Sequence, residues 1–400
     1  MNIEPRIAAI HEDMIRWRRD IHAHPELGFE EERTAGIVAD KLREFGCEVT
    51  TGIAKTGVVG TIRVGNSPAS VGLRADMDCL PMQEINTFEH ASKYPGKMHG
   101  CGHDGHTTML LGAAKYLAET RNFQGTVHLI FQPAEEGGGG GRVMVEEGLF
   151  QKFPCDAIFA MHNRPSLPVG QFAIRPGPML AGGCRFEIRI KGKGAHGARP
   201  ETGIDPVLVA AHIVGAAQTI VSRTTSPHEP VVVSFTQIHA GDAYNVIPER
   251  AVLRGTIRCY SNAVREQVTG ALARVAREVA AAFGAEAEPD IRPGYPPLVN
   301  DATEAAFMAD VAVSLVGEEN VQRNGPRVMG SEDFSYMLEA VPGAFILSGQ
   351  GGGHSGSGHI GGPGGCELHN PGYDFNDELL PLGATLFARV VEAKLAPKSA

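Results

Sequence analysis

Hydrophobic residues near the N-terminus recur at the spacing of amphipathic helices, over residues 4–22 and 30–45. The second run stops at Gly46, a residue type that favours the end of a helix. Beyond it, short runs become almost wholly apolar, which is typical of strands that helices cover on both faces. These runs are 58–64, 71–73, 127–131 and 157–161. A helical segment at 106–117 separates the second run from the third, so the pattern predicts an α/β domain.

A different pattern begins at residue 183, where apolar and charged residues alternate. Cys184, Phe186, Ile188 and Ile190 share one face of the predicted strand, and its other face is wet. The elements predicted after it are a helix at 206–221, strands at 231–238 and 252–260, and an alanine-rich helix at 263–283. Together they predict an α+β domain.

After residue 296 the pattern predicts a helix, a strand at 344–347, a glycine-rich loop at 349–365 and a final helix from about residue 377. We assign these elements to the first domain. The predicted organisation is therefore a first domain formed by 1–182 and 293–400, with residues 183–292 inserted as a second domain.

Charge and composition narrow the class of partner. The chain has 46 acidic and 36 basic residues, a net charge of -10 and no basic run. A nucleic-acid backbone is therefore a poor partner, and a small molecule is expected. The N-terminus lacks the apolar segment of a signal peptide, and the apolar stretch 207–221 is shorter than the roughly 20 residues that span a bilayer. We expect a cytoplasmic protein without a membrane segment, and its seven cysteines lack the spacing of a disulfide framework.

The densest group of chemically active residues is a cluster at 99–106. His99, Cys101, His103 and His106 are separated there mainly by glycines, at the start of a predicted helix. A lone histidine is more often structural, but thiolate and imidazole donors at this density suit zinc and related metals. The cluster predicts a metal site.

A second feature is the pair Glu135 and Glu136, directly after the apolar run 127–131. Paired glutamates usually belong to a solvated loop. At the carboxyl end of a buried strand, however, they lie where α/β sheets bind ligands, and one carboxylate can bind metal while the other moves protons. Other strand ends carry further potential donors, namely Asp76, Asp78, His162 and His369.

These residues and their neighbours resemble the aminoacylase and carboxypeptidase metallohydrolases, in the branch of hippurate hydrolases and auxin-conjugate hydrolases. The resemblance covers nearly the whole chain. The matching motifs run from Arg18-Arg-Asp-Ile-His22-Ala-His24-Pro-Glu-Leu27 and Arg74-Ala-Asp76-Met-Asp78, through the Cys101 cluster, Glu135-Glu136 and Met161-His162-Asn163, to Met329-Gly-Ser-Glu-Asp333-Phe334 and Leu368-His369-Asn370-Pro371-Gly-Tyr373-Asp374-Phe375.

The resemblance implies a phosphorylase/hydrolase-like catalytic domain with a mixed sheet, and an inserted ferredoxin-like domain that serves as lid and dimerisation domain. It also implies two divalent metal ions, zinc or manganese, with cobalt or nickel as alternatives. The implied metal ligands are Cys101, His103, Glu136, His162 and His369. Glu135 is the implied general base, which takes a proton from water and passes it to the leaving amine.

In the inserted domain, the resemblance gives His196 the role of stabilising the oxyanion. Relatives often present this histidine across a dimer, so a homodimer or a dimer of dimers is expected. Asn245 and Arg258 resemble the pair that binds the substrate carboxylate, a role that suits an arginine fork. Without the resemblance, Arg258 reads equally well as an exposed charge at a strand end.

The chain also departs from the wider family, because Asp76 stands where a metal-binding histidine is usual. We expect Cys101 to compensate and Asp78 to orient a ligand. The glycines at 137–141 do not form a phosphate-binding loop, since the lysine followed by serine or threonine is missing. His354 and His359, in the glycine-rich loop, are weaker metal candidates.

The sequence thus predicts a metal-dependent amidohydrolase acting on N-acyl L-amino acids, with hippurate-like, N-acetyl and indole-acetyl conjugates all open. One alternative is a dipeptidase or a diaminopimelate-type deacylase with the same machinery. The other is a catalytically dead metal-binding relative, which would need the loss of Glu135 or of ligands.

Overall fold

The computed structural model describes residues 1–351 and 366–397. Its helices are α1 (Pro5–Ala9), α2 (His11–Ala23), α3 (Glu32–Glu44), α4 (His103–Thr120), α5 (Gly140–Glu146), α6 (Leu149–Lys152), α7 (Pro206–Thr219), α8 (Asn262–Ala282), α9 (Ala302–Val316), α10 (Ser335–Ala340) and α11 (Leu379–Lys394). Its strands are β1 (Glu48–Ile53), β2 (Gly57–Val64), β3 (Ser70–Asp76), β4 (Gly125–Gln132), β5 (Ala157–Pro168), β6 (Phe172–Ala173), β7 (Gly177–Leu180), β8 (Gly182–Lys191), β9 (Ala195–His196), β10 (Val231–Ala240), β11 (Val246–Ile247), β12 (Arg250–Cys259), β13 (Glu286–Pro293), β14 (Leu298–Asn300), β15 (Val321–Gln322) and β16 (Gly343–Gly351).

The chain divides into two compact units. Unit 1 contains Met1–Gly177, Val299–Pro326 and Asp333–Ala400, and unit 2 contains Pro178–Leu298 and Arg327–Glu332. The short segment Arg327–Glu332 carries no sequence signal that separates it from its neighbours.

Unit 1 is built on an eight-stranded sheet with the order β1-β2-β4-β3-β5-β16-β6-β15. Strand β3 runs parallel to β4 and β5, and β5 runs parallel to β16. Strands β1, β2 and β4 are antiparallel neighbours. Every residue of β3 is buried, and α4 packs against α2, α3 and α11. The mixed α/β fold predicted from the apolar runs is confirmed.

The parallel register brings several functional segments to one edge of this sheet. Asp76 at the end of β3 pairs with Gln132 at the end of β4, and His162 in β5 pairs with Leu347 in β16. Because parallel strands point the same way, the residues that follow β3 and β4 emerge on the same side as His162. Helix α4, between β3 and β4 in the chain, begins at His103.

Unit 2 has a four-stranded antiparallel sheet with the order β10-β12-β8-β13. The apolar face of β8 enters a core shared with α7 and α8, as the alternation predicts; its buried residues include Cys184, Phe186, Ile188 and Ile190. The sequence reading missed β13. Its residues EAEPDIRP contain four charges, and none of the eight is fully buried, so no apolar run marks the strand.

One helix among the described residues, Pro206–Thr224, is long and apolar enough to cross a membrane by length and composition alone. In the structure it combines α7 with a π-helical turn at Ile220–Thr224. Four aliphatic residues of α7 belong to the core of unit 2, namely Val209, Ala210, Ile213 and Ala217. The helix is therefore a packed component of the α+β unit.

Candidate metal centre

The start of α4 places two predicted ligands on either side of a glycine. Gly102 adopts φ +97°, and a Cβ there would lie 2.5 Å from Asn163 Oδ1 and 2.7 Å from the Tyr373 hydroxyl. Only glycine fits this conformation and this space. The turn carries Cys101 and His103 side by side, and both are buried.

His103 is oriented by Asp78, which lies in the loop after β3. Its Nδ1 donates to the Asp78 backbone oxygen at 2.9 Å and lies 3.2 Å from Asp78 Oδ1. Its Nε2 is buried and has no hydrogen-bond partner among the described residues. A buried nitrogen with a free lone pair is costly unless a ligand fills it, so this geometry fits metal binding through Nε2.

His162 shows the same division between its two ring nitrogens. Nδ1 donates to the Asn163 backbone oxygen at 2.8 Å, and Nε2 lies 3.4 Å from Cys101 Sγ. Burial, with His106 nearby, holds the pKa of His162 well below its usual range. The low pKa favours the neutral ring, which is the form of histidine that binds metal.

Glu136 and His369 complete the set. His369 Nε2 lies 3.2 Å from Glu136 Oε1, and the His369 backbone N–H donates to the Gly100 oxygen at 2.8 Å. That second contact ties the His369 segment to the residue before Cys101.

The five predicted ligands thus form two overlapping groups that share Cys101. In the first group are Cys101, His103 and His162, and in the second are Cys101, Glu136 and His369; within each, the potential ligand atoms lie within 4.8 Å of one another. Thiolate, imidazole and carboxylate donors suit zinc and its neighbours, and two groups sharing one sulfur fit a pair of divalent ions.

The environment of Cys101 determines whether its thiol carries a proton. Burial and the Glu136 carboxylate raise the pKa of Cys101 well above its usual range, while His103 opposes the rise. The thiol alone therefore keeps its proton at neutral pH. Cys101 would bind a cation as the thiolate, and its proton would be released when the cation binds.

Glu135 lies next to the ligand groups. Its carboxylate belongs to a third group of neighbouring donors with His103 and Glu136, and its Oε1 accepts a hydrogen bond from the Asp333 backbone N–H at 3.4 Å. The side chain is buried. A carboxylate at this position can exchange protons with a molecule held by the neighbouring donors.

Two aspartates, one at the end of β3 and one just after it, contact different parts of the site. Asp78 Oδ2 accepts the Glu136 backbone N–H at 2.9 Å, while its other oxygen faces His103. Asp78 thus contacts two of the predicted ligands, and its role in orienting them stays a prediction. Asp76 instead accepts from His106 Nδ1 at 2.6 Å and from Arg74 Nη1 at 2.7 Å.

His106 is occupied on both ring nitrogens, because its Nε2 also lies 2.7 Å from Asn163 Oδ1. It is therefore a brace between Asp76 and Asn163, and its lone pairs are not free for metal. Burial disfavours the Asp76 carboxylate, but His103, Arg74 and His106 outweigh it and hold the pKa of Asp76 well below its usual range. The sequence indicated Asp76 as a potential metal donor and showed Arg74 and Asn163 only as members of motifs, and it did not predict the contacts that link them.

Two other histidine predictions have different outcomes. His99 is buried, neither ring nitrogen has a hydrogen-bond partner among the described residues, and burial lowers its pKa to about 3. It belongs to none of the ligand groups found in the described part of the chain. His354 and His359 lie outside the described residues.

The residues predicted in the inserted domain all lie in unit 2. His196 of β9 pairs with Val246 of β11, and the Gly197 N–H donates to the Asn245 oxygen at 2.7 Å. The structure therefore brings His196 and Asn245 together. Arg258 lies on β12, half-buried, and its Nη1 donates to Thr256 Oγ1 at 2.8 Å.

The chain is similar to known proteins over most of its length. The model of peptidase family M20/M25/M40 matches residues 72–393. The chain is 40% identical to hippurate hydrolase of Campylobacter jejuni over 390 residues, covering 98% of each chain. It is 43% identical to IAA-amino acid hydrolase ILR1-like 4 of Arabidopsis thaliana over 380 residues, covering 94% of this chain and 84% of that relative.

A solved structure extends the likeness to the fold. The Bacillus subtilis YXEP protein, described as a dinuclear metal binding peptidase from the M20 family, superposes with a TM-score of 0.82 at 35% identity, covering 97% of this chain and 99% of that one. The resemblance to hippurate and auxin-conjugate hydrolases is confirmed. The chain belongs to peptidase family M20/M25/M40 and is an amidohydrolase of that family.

Proposed function

We propose that this enzyme hydrolyses the amide bond of N-acyl L-amino acids with water activated at a two-metal centre. The observation that carries the proposal is the juxtaposition of Glu135 with two donor groups that share Cys101. The names of the relatives, hippurate hydrolase and IAA-amino acid hydrolase, support the substrate class.

In the proposed reaction, Cys101, His103, Glu136, His162 and His369 hold the ions, with zinc or manganese favoured and cobalt or nickel also suited to the donors. When bound, the cations lower the pKa of water towards ~7 and polarise the scissile carbonyl. Glu135 takes the proton of the attacking water and delivers it to the amine nitrogen as the C–N bond breaks. The products are a carboxylic acid and a free amino acid.

The residues of unit 2 supply binding and charge stabilisation in this proposal. His196 donates to the oxyanion that forms at the carbonyl. Asn245 and Arg258 bind the substrate carboxylate. Arg258 suits this role because its half-buried guanidinium has no acidic partner among the described residues, and because Gly183 provides the space it occupies. Burial of an unpaired arginine is costly unless an anion binds it.

The substrate test compares N-acyl amino acids with the same compounds converted to carboxamides. Replacing Arg258 with alanine is expected to lower kcat/KM for the carboxylates by about 10- to 100-fold, the usual loss of a hydrogen bond to a charged group. The carboxamides already lack the charge, so their kcat/KM should change little.

A matched control is Arg254→Ala, on the same strand but paired with Glu187 at 2.6 Å. It should leave kcat/KM of both compound sets near that of the unaltered enzyme. An equal loss for carboxylates and carboxamides in Arg258→Ala would contradict the carboxylate-binding role. In the same panel, the kcat/KM values of hippurate-like, N-acetyl and indole-acetyl conjugates show which acyl group the enzyme prefers. The kcat/KM values of dipeptides test the alternative substrate class.

We further propose that the enzyme works as a homodimer in which His196 completes the partner's site. Supporting features are the edge strand β10, on which Ile238 is 55% exposed, and the exposed apolar residue Leu208 of α7, which is 50% exposed. An open strand edge and exposed apolar residues each favour association.

Mixing two inactive variants tests this arrangement. In the proposed arrangement, each site combines Glu135 of one subunit with His196 of the other. A heterodimer of the His196→Ala and Glu135→Gln variants therefore contains one intact site and one site with both defects. Random reassociation should therefore restore about a quarter of the unaltered activity in a symmetric dimer. A mixture that stays inactive after verified subunit exchange, or a fully active monomer in sedimentation, would exclude the cross-subunit role.

A further inference from the structure

The loop that leads into the general base has an unusual backbone conformation. Ala134, immediately before Glu135, has φ +53°, a left-handed backbone conformation that residues other than glycine rarely adopt. The loop is also tightly packed, since a Cβ at Gly138 would lie 2.7 Å from the Ala134 Cβ, and a Cβ at Gly140 would overlap the Pro133 oxygen. Such a conformation persists only where the surrounding structure imposes it.

Glu31 provides one of the contacts that hold this conformation. It is fully buried, and its Oε1 accepts the Ala134 N–H at 2.8 Å. Its Oε2 accepts from Thr56 Oγ1 at 2.6 Å. The Ala134 oxygen is held as well, by the Gly140 N–H at 3.1 Å. Both peptide groups that flank Ala134 are thus fixed, the first of them by a side chain distant in sequence.

The segment around Glu31 fits closely against the same loop. A Cβ at Gly28 would lie 2.9 Å from the Ala134 Cβ, and a Cβ at Gly138 would lie 3.1 Å from the Phe29 ring. Gly28 follows directly on the N-terminal motif that ends at Leu27, a motif to which the proposed mechanism gives no role.

We propose that Glu31 is a positioning residue that acts through Glu135, by fixing the left-handed conformation of Ala134. The inference rests on the proposed role of Glu135 as general base. Without Glu31, the buried Ala134 N–H loses its acceptor, and the residue can relax to a negative φ. That rotation redirects the chain at the position before Glu135 and moves its carboxylate away from the reacting water.

The contact requires an acceptor of the right reach, and it does not require a charge. Glu31→Gln keeps an oxygen for the Ala134 N–H, and the Thr56 hydroxyl can turn to accept from the new amide. Glu31→Asp keeps the charge but withdraws both oxygens by one methylene. The proposal therefore predicts a higher kcat for Glu31→Gln than for Glu31→Asp, and the lowest for Glu31→Ala.

The expected fall in kcat for Glu31→Ala is about 10- to 100-fold, the range that follows from misplacing a catalytic group by about 1 Å. The metal content and KM should stay unchanged. Thr61→Val is the matched control, because it removes another buried hydrogen bond of unit 1, to His128 Nδ1 at 2.9 Å, and should leave kcat unaltered.

A double-variant cycle with Glu135→Gln separates positioning from general loss of structure. If Glu31 acts through Glu135, then Glu31→Ala lowers the residual rate of Glu135→Gln by less than about 2-fold, because interacting residues are not additive. An equal fall in both backgrounds, a loss of metal, or a kcat of Glu31→Asp above that of Glu31→Gln would overturn the proposal. If Glu31→Ala does not fold, the Gln and Asp variants still decide it. Full turnover by Glu135→Gln alone would instead refute the proposed general base.

Discussion

Replacing Glu135 with glutamine is expected to lower kcat by about 10²- to 10⁴-fold, the usual contribution of a general acid or base. Glutamine preserves the shape of the side chain but cannot accept the proton of the attacking water. The ligand groups are unchanged, so the metal content and the affinity for substrate should remain close to those of the unaltered enzyme. Steady-state kinetics and metal analysis on the same preparation measure both.

The neighbouring carboxylates provide the controls for this result. Glu136→Gln is expected to lose metal as well as activity, since Glu136 belongs to the group with Cys101 and His369. Glu146→Gln, which alters an exposed side chain of α5, should change neither. Full turnover by Glu135→Gln would show that Glu135 takes no part in the reaction. Loss of metal from this variant would show that Glu135 is a ligand and not the base.

Replacing Cys101 with alanine is expected to weaken metal binding by at least about 100-fold, more than the usual cost of removing a residue that only supports a ligand. The effect is expected to be large because Cys101 belongs to both donor groups, so one substitution removes a donor from each proposed ion site. Activity without added metal should be lost. Equilibrium titration of the metal-free variant with zinc or manganese measures the change.

Cys155→Ala is the matched control for Cys101→Ala. Cys155 is also a free cysteine, but its Sγ bonds only the Phe153 oxygen among the described residues, and it belongs to none of the donor groups found there. This variant should bind two ions per chain like the unaltered enzyme. Two tightly bound ions in Cys101→Ala would contradict the shared-thiolate arrangement.

Much of unit 1 could be predicted because a strand that is buried on both faces of a sheet appears in the sequence as a nearly continuous apolar run. The runs at 58–64 and 127–131 correspond to β2 and β4. The potential donors that follow such runs lie at the expected edge of the sheet. His103 and Glu136 are far apart in the chain, but parallel strands bring their segments together. The sequence therefore indicated that donors from several segments lie at one edge of the sheet, and their roles as metal ligands stay predictions.

The partners of these residues could not be predicted from the pattern. His106 belongs to the same dense cluster as His103, yet Asp76 and Asn163 occupy its nitrogens, while one nitrogen of His103 stays available. Which histidine binds metal depends on side-chain orientation, and orientation depends on contacts between distant segments. Glu31 was missed for the same reason, because its partner Ala134 is about a hundred positions away.

Unit 2 shows where the apolar pattern itself fails. Strand β8 alternates and was predicted, whereas β13, its neighbour in the sheet, carries charged residues and a proline and was not. A strand at the edge of a sheet needs less apolar surface than a central one, so its sequence carries a weaker signal.

The most direct test of the central claim is amine release from N-acyl amino acids by enzyme stripped of metal and then titrated with zinc or manganese. The account predicts that the stripped enzyme is inactive and that activity rises to its full value as two equivalents bind per chain. Full activity in the stripped enzyme, confirmed metal-free by elemental analysis, would contradict a metal-dependent amidohydrolase.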